Sequence, residues 1–305
     1  YVYDWEHLKG NIDAFTEAFG KDALFRYAAK AFISKALVKE LDEKGWGIDV
    51  VSGGEMATVQ ETVGTLENTV FNGTFKRTDE IEYFIQNNGG HISIDNRYEI
   101  EMLEKAASSL KKKQPVIMRI NLDVGAETHP MVLTSGYDQQ FGISISFAEE
   151  ALNQIASSKS LLFSGIHVHI GSQIKDPERY KLAMSSCSEF MNSNLEKVEG
   201  EAVFNAGGGF FSPYAGEEVD HELSVYSKAI HDGIKEHWEE GYKIMIEPGR
   251  ALVNNPGVIL YTAGAIKADR GDKPYILVDG GMSDNPRPAL YGSEHKLFNI
   301  SGGKS

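Results

Sequence analysis

Short runs rich in β-branched and aromatic residues alternate along this chain with longer segments of helical periodicity. The runs are FRYAAKA (25–31), GIDVVS (47–52), TVFNG (69–73), HISIDN (91–96), PVIMRINL (115–122), SGIHVHIGS (164–172), AVFNAG (202–207) and KIMIEPG (243–249). Amphipathic segments lie between them, among them 33–45, 97–113 and 178–198. In the first of these, Ala36, Leu37, Val38 and Leu41 make an apolar stripe at helical spacing. A helical segment follows each of the first seven runs, and the eighth leads into RALV, which reads as a short helix. Eight such alternations predict an α/β fold, a TIM-type (β/α)8 barrel. The rival is a doubly wound open sheet, but no GxGxxG follows the first strand, which disfavours its dinucleotide-binding form. Past residue 255 the character changes: VILYTAGAIKAD and KPYILVDGG read as strands with no long helix between them. Residues 10–255 are therefore assigned to the barrel. Residues 1–9, with the strand-like YVYDW, and 256–305 are assigned to a second, all-β domain of which only the beginning is present.

Composition narrows the partners. The chain has 305 residues, 41% hydrophobic and 24% charged, which is globular usage. A net charge of -14 argues against nucleic acid or an anionic membrane as partner. The basic run Lys111-Lys112-Lys113 reads as a cap on the end of a helix. The single cysteine, Cys187, excludes an intrachain disulfide and fits a reducing, cytoplasmic setting. No apolar run is long enough to span a bilayer as a helix. The chain opens at Tyr1 in strand-like sequence and stops at Ser305, so further residues are expected at both ends.

In a (β/α)8 barrel the chemistry gathers at the C-terminal ends of the strands. Lys30, Asp49, Ser52, Asn72, Arg119, His167, His169, Ser172, Gly207, Gly208, Gly209, Glu247 and Arg250 fall there. The glycine triplet ends strand seven and EPGR (247–250) ends strand eight, the usual phosphate position of this fold. The triplet is either a tight turn or a nest of inward N–H groups for an anion, and EPGR beside it favours the anion. Lys30 has only small or apolar neighbours. It either snorkels to an edge or faces inward, where desolvation would lower its pKa and make it a nucleophile. A lysine and a phosphate site on one rim suit pyridoxal 5'-phosphate (PLP), which needs both. Glu247 either faces the cofactor's ring nitrogen or serves as a cap or ion-pair partner, for instance to Arg250. His167 and His169 are expected to divide, one facing the interior over the cofactor and the other packing outside. That makes a poor metal pair, and no HExxH or Cys/His cluster is present, so no metal site is expected.

YAAKAF (27–32), DVVSGGE (49–55), HVHIGSQI (167–174), NAGGGF (205–210), EPGR (247–250) and DGGMSDNPRPALYG (279–292) together carry a resemblance. In order and over the whole chain, the sequence resembles the fold-type III PLP-dependent decarboxylases, most closely their diaminopimelate-decarboxylating branch. The resemblance implies a carboxy-lyase of lysine biosynthesis that converts meso-2,6-diaminopimelate to L-lysine and CO2. It further implies a homodimer with its active sites at the subunit interface and a small-molecule amino-acid substrate. Lys30 would bond the cofactor covalently, His169 would stack on its ring and Glu247 would pair with its ring nitrogen. Asp49, Ser172, Gly207, Gly208, Gly209, Pro248, Gly249 and Arg250 would complete the cofactor site, with Arg250 also near the substrate. Arg287 and Tyr291 would bind the substrate's distal carboxylate, an arginine fork being matched to that group.

The rivals are a related decarboxylase of ornithine, arginine or carboxynorspermidine, a PLP racemase, and a PLP-binding homologue without activity. Two departures from the family pattern stand out. NGTFK (72–76) replaces the usual HGNNK, and FFSPY (210–214) lacks the usual small residue after Phe210. The family's cysteine-acidic segment and a late tyrosine are absent from the 305 residues. The proton-donating cysteine is expected in that segment, from the partner subunit, and Cys187 is read as a helix-packing residue.

Overall fold

The computed structural model describes residues 1–122, 140–213, 222–268, 274–292 and 295–300. A two-residue strand, β1 (Val2–Tyr3), and helix α1 (Trp5–Phe19) come first. Then β2 (Leu24–Ala28), α2 (Lys35–Glu43), β3 (Gly47–Val50), α3 (Gly53–Val63), β4 (Thr69–Phe71), α4 (Thr78–Gln86), β5 (His91–Ile94) and α5 (Arg97–Ser109) alternate. The series continues through β6 (Gln114–Asn121), the short β7 (Ile143–Ser144), α6 (Ile145–Ala156), β8 (Leu161–His167), α7 (Glu178–Asn192), β9 (Ala202–Asn205), α8 (Leu223–Lys235), β10 (Tyr242–Ile246) and α9 (Arg250–Val253). All strand pairs of the main sheet are parallel. β10 returns to β2 through Met245↔Leu24 and Ile246↔Phe25, and β5 pairs with β6, so the sheet closes on itself. This is the eight-stranded barrel that the alternation predicts, with β7 attached to the end of β6. Beyond it, β11 (Gly257–Val258) pairs antiparallel with β1, β12 (Ala263–Lys267) with β13 (Tyr275–Val278), and α10 (Arg287–Tyr291) follows.

Local chemistry fixes where the helices begin. Asp4, Ser34, Ser52 and Asn96 each accept a hydrogen bond from the N–H three residues on, capping α1, α2, α3 and α5. Each such cap stabilises by about 1 kcal/mol. One sequence expectation needs correction. In α2, Leu37, Val38 and Leu41 are buried but Ala36 is exposed, so the stripe that meets the barrel is narrower than its hydropathy. The basic run does cap, and on two helices: Lys111 turns the chain with φ 54°, the Lys112 N–H donates to the Ala107 carbonyl at the end of α5, and Lys112 Nζ donates to the carbonyls of Ile85 and Gln86 and to Asn88 Oδ1 at the end of α4.

The barrel interior is built in layers. Val70, Ile117, Val203 and Met245 form one buried apolar cluster with Leu24 against it. Two residues further along the same four strands stand Asn72, Arg119, Asn205 and Glu247. Period two keeps each pair on one face, so a polar layer lies directly over the apolar one, at the C-terminal mouth.

His91 opens β5 at the other end of the strands and pairs in register with Val70. Burial, and then the nearby Arg26 guanidinium, push its imidazole down to about 4. The unfolded chain takes up that proton near 6.5, so the contribution is complete above 6.5 and lost as the pH falls toward 4. At pH 4.5 the loss amounts to about 2–3 kcal/mol. His91→Gln should therefore show a smaller fall in Tm between pH 7 and 4.5 than the parent. Equal falls in calorimetry would contradict the assignment.

Candidate active site

β2 ends at Ala28, and a 3-10 turn, Ala29–Ala31, carries Lys30 over the barrel mouth. Tyr27 Oη donates to the Phe32 carbonyl at 2.7 Å and closes that turn. The Lys30 side chain is 52% exposed, and its Nζ lies 3.2 Å from Asp49 Oδ2. The expected desolvated amine with a lowered pKa is not what forms. The carboxylate of Asp49 outweighs burial and raises the ammonium above its ordinary value. Asp49 itself is fully buried at the end of β3, and burial raises its carboxyl to about 6 against the pull of Lys30.

Glu247, just past β10, is 3% exposed. Its Oε1 accepts from Asn72 Nδ2 at 2.9 Å and from Asn205 Nδ2 at 2.7 Å, and its Oε2 lies 3.3 Å from His167 Nε2. Asn72 Nδ2 also donates to Asp49 Oδ1 at 2.7 Å. Asn205 Oδ1 accepts from the Gly207 N–H at 2.8 Å. No Glu247–Arg250 pair is needed to account for the carboxylate, because its two oxygens already face these three side chains.

The two histidines do not divide as expected, because residues two apart on a strand share a face. His167 is the last residue of β8, points inward and sits 3.0 Å from Ser93 Oγ through Nδ1. Burial, then Arg119 and Lys30, hold its imidazole well below the ordinary value. His169, two residues further on and just past the strand end, keeps to the same side. It reaches the mouth, accepts from the Gly208 N–H through Nδ1 at 3.3 Å, and is pushed down to about 3. It shares a small cavity with Arg119, Phe141, Val168 and Ile170. Both imidazoles therefore serve the same rim.

The glycine triplet is a close-approach device. Gly207 and Gly209 hold φ of 68° and 96°. A Cβ would stand 2.5 Å from the Val168 carbonyl at Gly207, 2.3 Å from the Glu247 carbonyl at Gly208 and 2.3 Å from the Gly171 carbonyl at Gly209. Backbone from the ends of β8 and β10 fills the space that side chains would need. The triplet is thus a tight turn with backbone packed against it. The N–H groups of Gly207 and Gly208 go to Asn205 and His169, while that of Gly209 has no hydrogen-bond partner among the described residues. Gly249 caps α9, with a would-be Cβ 3.1 Å from Ala28 Cβ. The buried Pro248 accepts from the Ala28 N–H at 3.1 Å, and half-buried Arg250 opens α9. Ser172 is exposed on the loop after β8. Ser52 is a helix cap.

A second buried network borders the site, and the motif search missed all of it except Arg119. Lys76 Nζ, fully buried, pairs with Glu99 at 2.9 Å. Glu99 Oε2 accepts from the Asp95 N–H at 2.9 Å, and Asp95 Oδ1 accepts from Arg119 Nη1 at 3.3 Å and the Gly142 N–H at 3.2 Å. The spacing of Lys76 and Glu99 gives no hint of the pair, since 23 residues separate them. Arg287 opens α10, away in sequence from the barrel, and the side chain of Tyr291 lies outside those described.

The residues fit PLP chemistry. One reachable amine, one deeply held carboxylate and a glycine turn that allows close backbone approach share one rim. Asn72 Oδ1 and His167 Nε2 are buried there without a hydrogen-bond partner among the described residues. The family model for pyridoxal-dependent decarboxylases, pyridoxal binding domain, matches residues 6–254. The chain belongs to this family.

Among relatives of this pyridoxal-dependent decarboxylase, the diaminopimelate decarboxylase of Bacillus subtilis is 35% identical over 306 residues, covering 97% of this chain and 70% of its own length. That of Staphylococcus aureus is 34% identical, with 98% and 72% covered. The solved diaminopimelate decarboxylase of Helicobacter pylori, complexed with L-lysine, superposes with a TM-score of 0.89 at 29% identity, over 99% of this chain and 75% of that one.

Cys187 sits in α7 with no exposure, and burial pushes its thiol far above the ordinary range. The outer helix ring holds it away from the strand ends. Cys187→Ala in the full enzyme should keep near-normal kcat and lose at most about 1–2 kcal/mol of stability. A large fall in kcat with intact folding would place the proton donor here.

Proposed function

We propose that the protein uses PLP to decarboxylate meso-2,6-diaminopimelate, giving L-lysine and CO2. One observation carries this reading: Lys30, Asp49, Glu247 and the glycine triplet share one barrel rim, in a chain whose residues 6–254 match the pyridoxal-binding domain. The curated relatives that carry this activity in their names support the substrate, as do two solved relatives complexed with L-lysine, the product.

PLP, when bound, supplies an electron sink for the pair left on Cα as CO2 departs. Lys30 is the residue to bond it, with Asp49 orienting Nζ. Glu247 is the partner for its ring nitrogen, and His169 covers the ring and helps to exclude water. Ser172, Gly207, Gly208, Gly209, Gly249 and Arg250 hold its phosphate, with Pro248 fixing the turn between Glu247 and Gly249. Arg250, Arg287 and Tyr291 bind substrate, the last two at the distal carboxylate that ornithine and arginine lack. The buried carboxylate argues against the racemase reading, in which an arginine would meet the ring nitrogen. Asn72, although it departs from the family pattern, is bonded to both Asp49 and Glu247, which speaks against an inactive homologue. A homodimer with interfacial sites and a cytoplasmic location complete the proposal.

The test is amino-acid decarboxylation by the full-length enzyme. CO2 and equimolar L-lysine should form from meso-diaminopimelate, with little turnover of ornithine, arginine or carboxynorspermidine. Preference for one of those three would overturn the substrate. Arg287→Ala should raise KM for diaminopimelate about ten- to a hundredfold, the worth of a charge-assisted pair, with the bound cofactor's absorbance unchanged. An unaltered KM would remove Arg287 from the substrate site.

A further inference from the structure

A continuous line of polar contacts crosses the barrel mouth. It runs from Lys30 Nζ to Asp49 Oδ2 (3.2 Å), from Asp49 Oδ1 to Asn72 Nδ2 (2.7 Å), and on to Glu247 Oε1 (2.9 Å). From that oxygen it passes to Asn205 Nδ2 (2.7 Å), and Asn205 Oδ1 ends it on the Gly207 N–H (2.8 Å). Asp49, Asn72, Asn205 and Glu247 are all at most 4% exposed. Water therefore cannot readily replace a lost link.

The two amides play matched parts. Asn72 places both protons of one nitrogen between two buried carboxylates. Without it, Asp49 and Glu247 face each other with no donor between them. Asn205 gives its proton to the same Glu247 oxygen and uses its carbonyl on the turn. The Glu247 N–H adds a second tie by donating to the Gly207 carbonyl at 2.8 Å. Oε1 is thus located from two sides, by the end of β4, which is joined to Lys30 through Asp49, and by the strand end that carries the triplet.

We infer that Asn72 and Asn205 are positioning residues that act as a coupled pair through Glu247 Oε1. Together they set the spacing of three attachment points for the cofactor: the Lys30 amine, the Glu247 carboxylate and the glycine turn. The inference rests on the PLP reading above. It assigns neither amide any contact with reacting atoms. A merely structural role would lower the stability of the protein and leave the affinity of the folded fraction for PLP unmoved.

The experiment is a double-mutant cycle on the full-length enzyme, with Asn72→Ala, Asn205→Ala and the pair. PLP Kd and the bound absorbance maximum are read by titration, beside Tm of the PLP-free protein. Each single change should raise Kd about tenfold or more and move the absorbance maximum. The double should raise Kd by clearly less than the product of the two, because either change already releases the shared oxygen. Asn205→Asp keeps an acceptor for Gly207 but has no donor for Glu247, and should weaken PLP as Asn205→Ala does. If the alanine variants do not fold, Asn72→Ser and Asn205→Ser complete the same cycle. Unchanged Kd with lowered Tm, multiplicative effects, or parent-like binding by Asn205→Asp would each overturn the inference while leaving the PLP reading intact. Failure of the parent to bind PLP would overturn both.

Discussion

A carboxylate as buried as Glu247 must be met by donors, since leaving one unpaired in a protein interior costs several kcal/mol. Its two donors, Asn72 after β4 and Asn205 at the end of β9, and the His167 ring 3.3 Å from its other oxygen come from three different strand ends. They can meet only if the sheet is closed and in register. The pairs His167↔Asn205 and Met245↔Asn205 fix that register on the β8–β9–β10 side. The requirement then passes outward. Asn205 is tied to the glycine turn, Asn72 to Asp49 and Asp49 to Lys30, so the rim is held by the demands of one oxygen.

Beneath this polar layer, Val70, Ile117, Val203 and Met245 seal the barrel against water. The sealing matters for the chemistry above. In a low-dielectric mouth, the same hydrogen bonds that satisfy Glu247 are stronger and more directional than in solvent. Lys76, Glu99, Asp95 and Arg119 form a separate buried network on the β4–β5–β6 side and hold Arg119 beside the cavity that His169 lines. Both networks join residues far apart in sequence, which is how a barrel concentrates charge without one local motif.

The eight strands were legible because each parallel strand is a short apolar run and each helix carries its own period. The candidate residues Lys30, Asp49, Gly207, Gly208, Gly209 and Glu247 were legible because they interrupt those runs at their C-terminal ends. What sequence alone could not carry was partnership. Lys30 looked desolvated, but Asp49, 19 residues on, decides its charge. His169 was expected to oppose His167, but residues two apart share a face and both rings reach the mouth. Asn205 carries no signal of its own in the sequence, although both ends of its amide are in use. For Lys30 and Asn205 a tertiary contact decides what no local pattern carries.

The central claim is that this rim is a PLP site organised around Lys30, and chemical trapping addresses it most directly. The full-length enzyme, loaded with PLP and reduced with borohydride, should retain one pyridoxyl group per chain. Digestion and peptide mapping should place that group on Lys30. A label on another lysine, or none, would contradict the account.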